Sequence, residues 1–159
     1  MKQTPTTPDA LESAAGVTRQ TVRMGIELAV PAGNNPGLLA QVLRAVAGCK
    51  VNILAYCTAF DLDRFIIFLV TDAALAAKTA LAEAGFSCTA HSVVLVSAEN
   101  RAGTPVALLN QLSDARIEIR YAYVAALKPP GLCAVFSTFD NQRALRVLAA
   151  TDLIHAASR

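Results

Sequence analysis

Two stretches of this 159-residue chain read as copies of one another, and that repeat constrains the fold more than any other feature. Sliding the sequence by 66 positions lays "IELAV" (26–30) on "SVVLV" (92–96) and "NNPG" (34–37) on "NRAG" (100–103). Leu39, Val42, Leu43 and Val46 fall on Pro105, Leu108, Leu109 and Leu112, and "VNI" (51–53) falls on "IEI" (117–119). No gap is needed from residue 26 to 53. The copies then drift by one residue, and "AKTALAEAGF" (77–86) matches "ALRVLAATDL" (144–153). The chain therefore reads as a duplicated module, residues 22–91 and 92–159. Ahead of it, residues 1–21 are rich in Thr, Pro and Ala and are expected to form a flexible tail.

Both copies have the same order of elements. In the first, residues 22–30 alternate as a strand. Leu39, Val42, Leu43 and Val46 repeat at i, i+3, i+4 and i+7, predicting an amphipathic helix over 36–47. "VNILAYCTA" (51–59) and "RFIIFLVT" (64–71) read as strands around the turn "DLDR". An Ala-rich helix over 73–84 ends at Gly85, and "FSCTAHS" is a fourth strand. In the second copy the strands fall at 92–98, 116–126 and 132–138, with a short last strand near 152–156. The helices fall at 104–113, capped by Thr104 with Pro105 in its first turn, and at 140–150. The order β-α-β-β-α-β predicts an α+β fold: two ferredoxin-like modules, each an antiparallel sheet with helices on one face.

"FIIFLV" (65–70) adds a constraint. Successive strand residues face opposite sides, so Phe65, Ile67 and Leu69 take one face and Ile66, Phe68 and Val70 the other. Both faces are apolar, yet helices cover only one. The other module or a second chain is expected to cover the remaining face, which predicts a homodimer through sheet faces or edges.

Composition narrows the function classes. Hydrophobic residues make up 54% and charged ones 16%, enough for a substantial core. The net charge is +2, with Lys and Arg scattered, which argues against a nucleic-acid surface. "FIIFLV" is strand-sized, far short of the ~18–20 apolar residues of a membrane span, and the N-terminus lacks an apolar signal core. A cytoplasmic protein is expected, with no membrane partner. Cys49, Cys57, Cys88 and Cys133 contain no C-x-x-C pair and read as reduced, buried thiols. His91 and His155 belong to no ligand or triad motif, and Asp61, Asp63 and Asp72 fall in turns where solvation is expected. Tyr121 and Tyr123 alternate with Ala122, which suits sheet packing. No catalytic residues, metal ligands or cofactor are expected.

The turn "NNPG" raises the question of ligand binding. Asn34 or Asn35 can cap the following helix, and Pro36 suits its first position. Gly37 lets another group approach the backbone. The first-turn N–H groups and the helix dipole favour a carboxylate. Phosphate motifs are missing: there is neither G-x-x-x-x-G-K-[ST] nor G-x-G-x-x-G. On the residues alone, a well-capped helix with no ligand is the favoured reading of this turn.

A strand ending in Asn-x-Pro-Gly, then "LLAQVLRAV", then "VNI" resembles the ACT domain, a small βαββαβ regulatory module that often binds amino acids. The second copy, "TAHSVVLVSAENRAGTPVALLNQLSDARIEIRYAYVAA", resembles a second ACT domain. In amino-acid-binding ACT domains the ligand sits where two domains meet side by side. The resemblance therefore implies ligand contacts from Asn34, Asn35, Pro36, Gly37, Leu38 and Asn52 in the first copy. In the second it implies Asn100, Arg101, Ala102 and Gly103. The second copy departs from the pattern: Ala102 replaces Pro, and Glu118, within reach of Arg116 or Arg120 for an ion pair, stands where the first has Asn52. The expectation is a non-catalytic regulator or sensor that binds a small ligand, an amino acid, at an ACT–ACT interface. The alternative is an interaction module that assembles with an enzyme or transporter partner and binds no ligand.

Overall fold

The structure, a computed structural model, describes residues 20–157 apart from 34, 36, 62–63 and 128–130; for 61 and 151–157 it describes the course of the chain only. Ten elements follow in order: β1 (Thr21–Ala32), α1 (Leu38–Gly48), β2 (Ile53–Asp61), β3 (Arg64–Thr71), α2 (Ala74–Glu83), β4 (Thr89–Glu99), α3 (Thr104–Asp114), β5 (Ile119–Ala126), β6 (Gly131–Thr138) and α4 (Asn141–Ala157). The six strands form one antiparallel sheet in the order β2-β3-β1-β4-β6-β5.

The α+β fold and the two ferredoxin-like halves are as the sequence predicts, but the halves share strands. β1 pairs with β4 from Thr21↔Ser97 to Ala29↔Thr89, and with β3 from Glu27↔Val70 to Ala32↔Phe65. Its second half therefore opens the first module, while its first half fills the fourth-strand place of the second. β4 does the reverse, passing from β1 to β6, which it pairs from Val94↔Phe136 to Glu99↔Gly131. The strands expected separately at 86–92 and 92–98 are thus one strand, and the division at 91/92 falls inside it. No fourth strand is needed at 152–156; those residues continue α4. A neighbouring chain is not required to complete the second half. The start of β1 also corrects the tail. Thr21 is already in the sheet, and the Gln20 amide donates to the Leu148 carbonyl at 2.9 Å; residues 1–19 lie outside the described residues.

All four helices lie on one face. Along β1 the even residues divide between two cores. Leu28, Val30 and Ala32 meet Val42, Val46, Ala77 and Leu81 of α1 and α2. Val22 and Met24 pack against the core formed by Val94, Val96, Leu108, Leu112, Ala144 and Leu148, with α3 and α4. Burying a side chain of this size contributes about 1.5–3 kcal/mol. The repeat is preserved in the backbone. Gly37 (φ 89°) and Gly103 (φ 92°) precede α1 and α3, and Lys50 (φ 59°) and Arg116 (φ 53°) follow them, each pair 66 residues apart. Matching bulges interrupt β2 at Ile53/Ala55 and β5 at Ile119/Tyr121, so Leu54 and Arg120 are the extra residues.

The second face of "FIIFLV" is covered within the chain at Val70 and in part at Phe68, which packs on Tyr121; Ile66 and Phe68 stay half-buried. The sheet curls until its edge strands β2 and β5 touch. A third core forms between its two halves from Ala55, Val70, Val93, Leu95, Cys133 and Val135, flanked by Leu54, Tyr123, Ala125 and Leu127. Leu95 crosses directly over Gly25, where an added Cβ would lie 2.4 Å from its Cδ1. The other module is therefore the cover at Val70, and the exposed-face argument for a dimer is weakened, though Ile66 and Phe68 keep part of that face open.

Candidate functional site

The first turn leads from β1 into α1. Asn35 N–H donates to the Gly33 carbonyl (2.7 Å) and Leu38 N–H to the Asn35 carbonyl (3.2 Å). Asn34 and Pro36 lie outside the described residues. The N-cap of α1 is Gly37, in a left-handed conformation that a residue without Cβ adopts at little strain, and among the described residues no side chain caps the helix. The expected cap by Asn35 is therefore not made; its side chain is exposed. The second turn repeats the geometry. The N-cap of α3 is Gly103, not Thr104, whose hydroxyl donates to the Glu99 carbonyl at 3.0 Å. Asn100 and Ala102 are exposed, and Arg101 reaches back to Glu99 at 2.7 Å. Among the described residues no side chain caps either helix, and free first-turn N–H groups favour an anion.

These residues do not converge within one chain. β1 and β4 run antiparallel, so their C-terminal turns lie at opposite ends of the sheet. Ala32 and Glu99 are thirteen residue steps apart along the register, about 40 Å. Asn52, just before β2, is level with Gly25, seven steps and about 23 Å from the first turn. Its N–H and side-chain amide donate to the two carboxylate oxygens of Asp72 at 3.0 and 2.7 Å. Asp72 is therefore a positioning group for Asn52 and more than a solvated turn carboxylate. Glu118 pairs with neither Arg116 nor Arg120; the ion pair among the described residues is Arg101–Glu99.

Sequence reasoning missed Glu27. It is fully buried, on the opposite face from Leu28, and accepts hydrogen bonds from the hydroxyls of Tyr121 (to Oε2) and Tyr123 (to Oε1, 2.8 Å). Tyr121 also stacks against Phe68, with ring centroids 5.0 Å apart. Burial raises the Glu27 pKa, opposed by the two tyrosine bonds and the nearby His91. Burial, then the neighbouring Glu27 charge, pushes the Cys57 thiol up to about 11, and burial raises Cys133. Neither thiol is primed as a thiolate nucleophile at neutral pH. All four cysteines are free, but only Cys133 is buried; the other three are half-exposed. His91 is exposed and bonded to Thr89 Oγ1 at 3.0 Å, while the side chain of His155 lies outside what is described. The signal for Glu27 was parity: a carboxylate on the strand face that Phe68 and Val70 share, inside an apolar run.

With the fold and turns in place, comparison with known proteins decides the family. Residues 24–159 match the ACT domain pair. The chain belongs to the ACT domain pair family. No curated protein matches it. Among solved structures, protein BT0572 from Bacteroides thetaiotaomicron superposes with a TM-score of 0.72 at 24% identity, over 82% of this chain and 90% of that one. The ligand-free regulatory subunit of aspartate kinase from Thermus thermophilus gives 0.59 at 16%, over 82% and 95%. The corresponding subunit from Thermus flavus gives 0.52 at 18%, over 86% and 98%. At these identities the neighbours share the fold with this ACT pair. ACT domains are regulatory modules, and no helix among the described residues is long and apolar enough to cross a membrane.

Proposed function

We propose that this ACT pair is a non-catalytic regulator that binds an amino acid at interfaces between copies of itself. One observation carries the reading: two turns in the same register, each ending in a left-handed glycine before a helix that no side chain among the described residues caps. Such an end offers N–H groups and a positive dipole to an α-carboxylate, and the exposed side chains of Asn35 and Asn100 offer carbonyl oxygens to an ammonium. Because the two turns of one chain face opposite ends, the site takes the first turn, with Leu38, from one copy and the second, with Arg101 and Ala102, from another; Asn34 and Pro36 are proposed contacts by their place in the motif alone. A two-fold dimer then makes two equal sites.

Isothermal titration of the twenty amino acids, with sedimentation velocity in the presence and absence of any that bind, tests this. One amino acid should bind and promote the dimer, and Asn35→Ala should weaken both effects with little change in melting temperature. Heats at background level for all twenty would remove the reading. A stable co-purifying enzyme or transporter would then favour the interaction module.

A further inference from the structure

We propose that the groove beside Arg120 and His91, on the face away from the helices, binds small aryl carboxylates. The groove encloses about 370 Å³, within the ~300–1,000 Å³ range of small-molecule sites. Phe68, Tyr121, Ile66 and Pro31 give it an aromatic and apolar wall, and Arg120 and His91 stand at its rim.

The repeat supplies an internal control. Position by position, the other end of the same face is filled by the third core, which leaves a smaller pocket of about 250 Å³ beside Arg23, Gly25, Ile26, Thr71 and Ala74. Where the closed end has Leu54, Leu95 and Gly25, the groove has Arg120, Ala29 and His91. The shortening from Leu to Ala leaves the space. Replacing Leu54 by Arg120 puts a cation where the equivalent residue is apolar. Both residues occupy the matching bulges, a device that re-aims a side chain. One half of a duplicated face is thus largely filled, and its counterpart is the wider groove, with Arg120 where the filled end has Leu54.

Charge selects the ligand class. Arg120 has no carboxylate partner among the described residues; its guanidinium lies 4.6 Å from the Phe139 ring centroid. No Asp or Glu lines the groove, and Glu27 is sealed behind the two tyrosine hydroxyls. An anion therefore has a partner here and an ammonium has none. This separates the groove from an amino-acid site at the turns, and the inference does not depend on that site. A planar ring fits between the Phe68–Tyr121 pair and Pro31, with its carboxylate toward the guanidinium, where a bidentate pair can form.

The test is saturation-transfer NMR and titration of 3-phenylpropanoate and its amine isostere, 3-phenylpropylamine, at millimolar concentrations against the full chain. The carboxylate should bind and the amine should not. Arg120→Leu, which installs the closed end's own residue at an exposed site, should weaken binding at least tenfold without shifting the melting temperature. Ala29→Leu with His91→Gly, which rebuilds the closed end, should abolish it. Asn35→Ala should leave it intact. Absence of carboxylate binding, equal binding of the amine, or unchanged affinity in Arg120→Leu would each overturn the assignment.

Discussion

Tyr123→Phe is the sharpest probe of the buried face, because it removes one oxygen from a closed set of three partners. Glu27 is fully buried and takes one hydrogen bond on each carboxylate oxygen, from Tyr121 and Tyr123. A hydrogen bond to a charged group contributes about 1.5–3 kcal/mol, against about 0.5–1.5 kcal/mol for a neutral one. The substitution keeps the ring and leaves Oε1 without its donor. It should destabilise the chain by about 2 kcal/mol, a fall in Tm of about 4–8 °C at this length. In a Glu27→Gln background the same change should cost about 1 kcal/mol, so the coupling energy is about 1 kcal/mol. Urea unfolding followed by circular dichroism measures all four corners of the cycle. A Tyr123→Phe cost below about 0.5 kcal/mol, or an equal cost in both backgrounds, would refute the assignment of the bond to a carboxylate.

The pH dependence gives a second reading of the same network. The groups facing Glu27 are Tyr121, Tyr123, His91 and Cys57. Burial raises the Glu27 pKa above its ordinary value of 4.5. The folded chain therefore keeps the proton over a range in which the unfolded chain has released it. Stability from this group is fully present below the unfolded value and is lost as pH rises through the folded one. Tyr123→Phe removes a bond that lowers the pKa, so the window should extend further upward. Glu27→Gln should lose this slope. Wild-type stability that rises relative to Glu27→Gln from pH 4.5 upward would contradict the sign.

Three further outcomes follow from the repeat. In the second half Asn141 Oδ1 accepts from Thr138 N–H (2.8 Å) and Oγ1–H (2.9 Å), and its amide donates to the Ser92 carbonyl (2.6 Å). The equivalent residue in the first half is Ala74, and Thr71 Oγ1 is buried without a partner. Ala74→Asn should therefore raise stability by about 1 kcal/mol, and a differential-scanning Tm no higher than wild type would refute the equivalence. Deleting residues 1–24 should destabilise the second half by about 3–5 kcal/mol, by removing Val22, Met24 and the pairing of Thr21–Met24 with Val94–Ser97. Hydrogen exchange should then rise in α4 and the end of β4, and unchanged protection there would count against strand sharing. Gly103→Val meets no atom within 4 Å but must hold φ near 92°, so it should cost at least about 1–2 kcal/mol by strain alone, measured by urea midpoint.

What the sequence made legible was local. The spacing of Leu39, Val42, Leu43 and Val46 and its echo at Leu108 and Leu112 placed both helices, and the two left-handed glycines follow from the same motif. What it hid was non-local. "FSCTAHS" and "SVVLV" alternate like two strands, and nothing within them says they are one, with a different partner at each end. The residues near 152–156 read as a strand because the module pattern required one, although the place was already taken by Thr21–Met24. The turn motif was legible, but its geometry was not. Neighbours in a motif, such as Gly37 and Asn52, end up at opposite ends of a strand, because α1 carries the chain back along β1 before β2 begins. Glu27 escaped notice because its partners are 94 and 96 residues away.

β1 ties these observations together. Its first four residues complete the second half, Glu27 and Ala29 face the buried side, and Ala32 leads to the first turn. Both neighbours fix its register: β3 over Glu27–Ala32 and β4 over Thr21–Ala29. A one-residue slip would turn Glu27 away from the tyrosines and into the helix-packed core, where no donor waits, while Leu28 would leave that core. The carboxylate is therefore a penalty against every register but the observed one, whatever its net contribution to stability. β1 and β4 are the two strands that belong to both halves, so the register that Glu27 enforces fixes how the halves are joined.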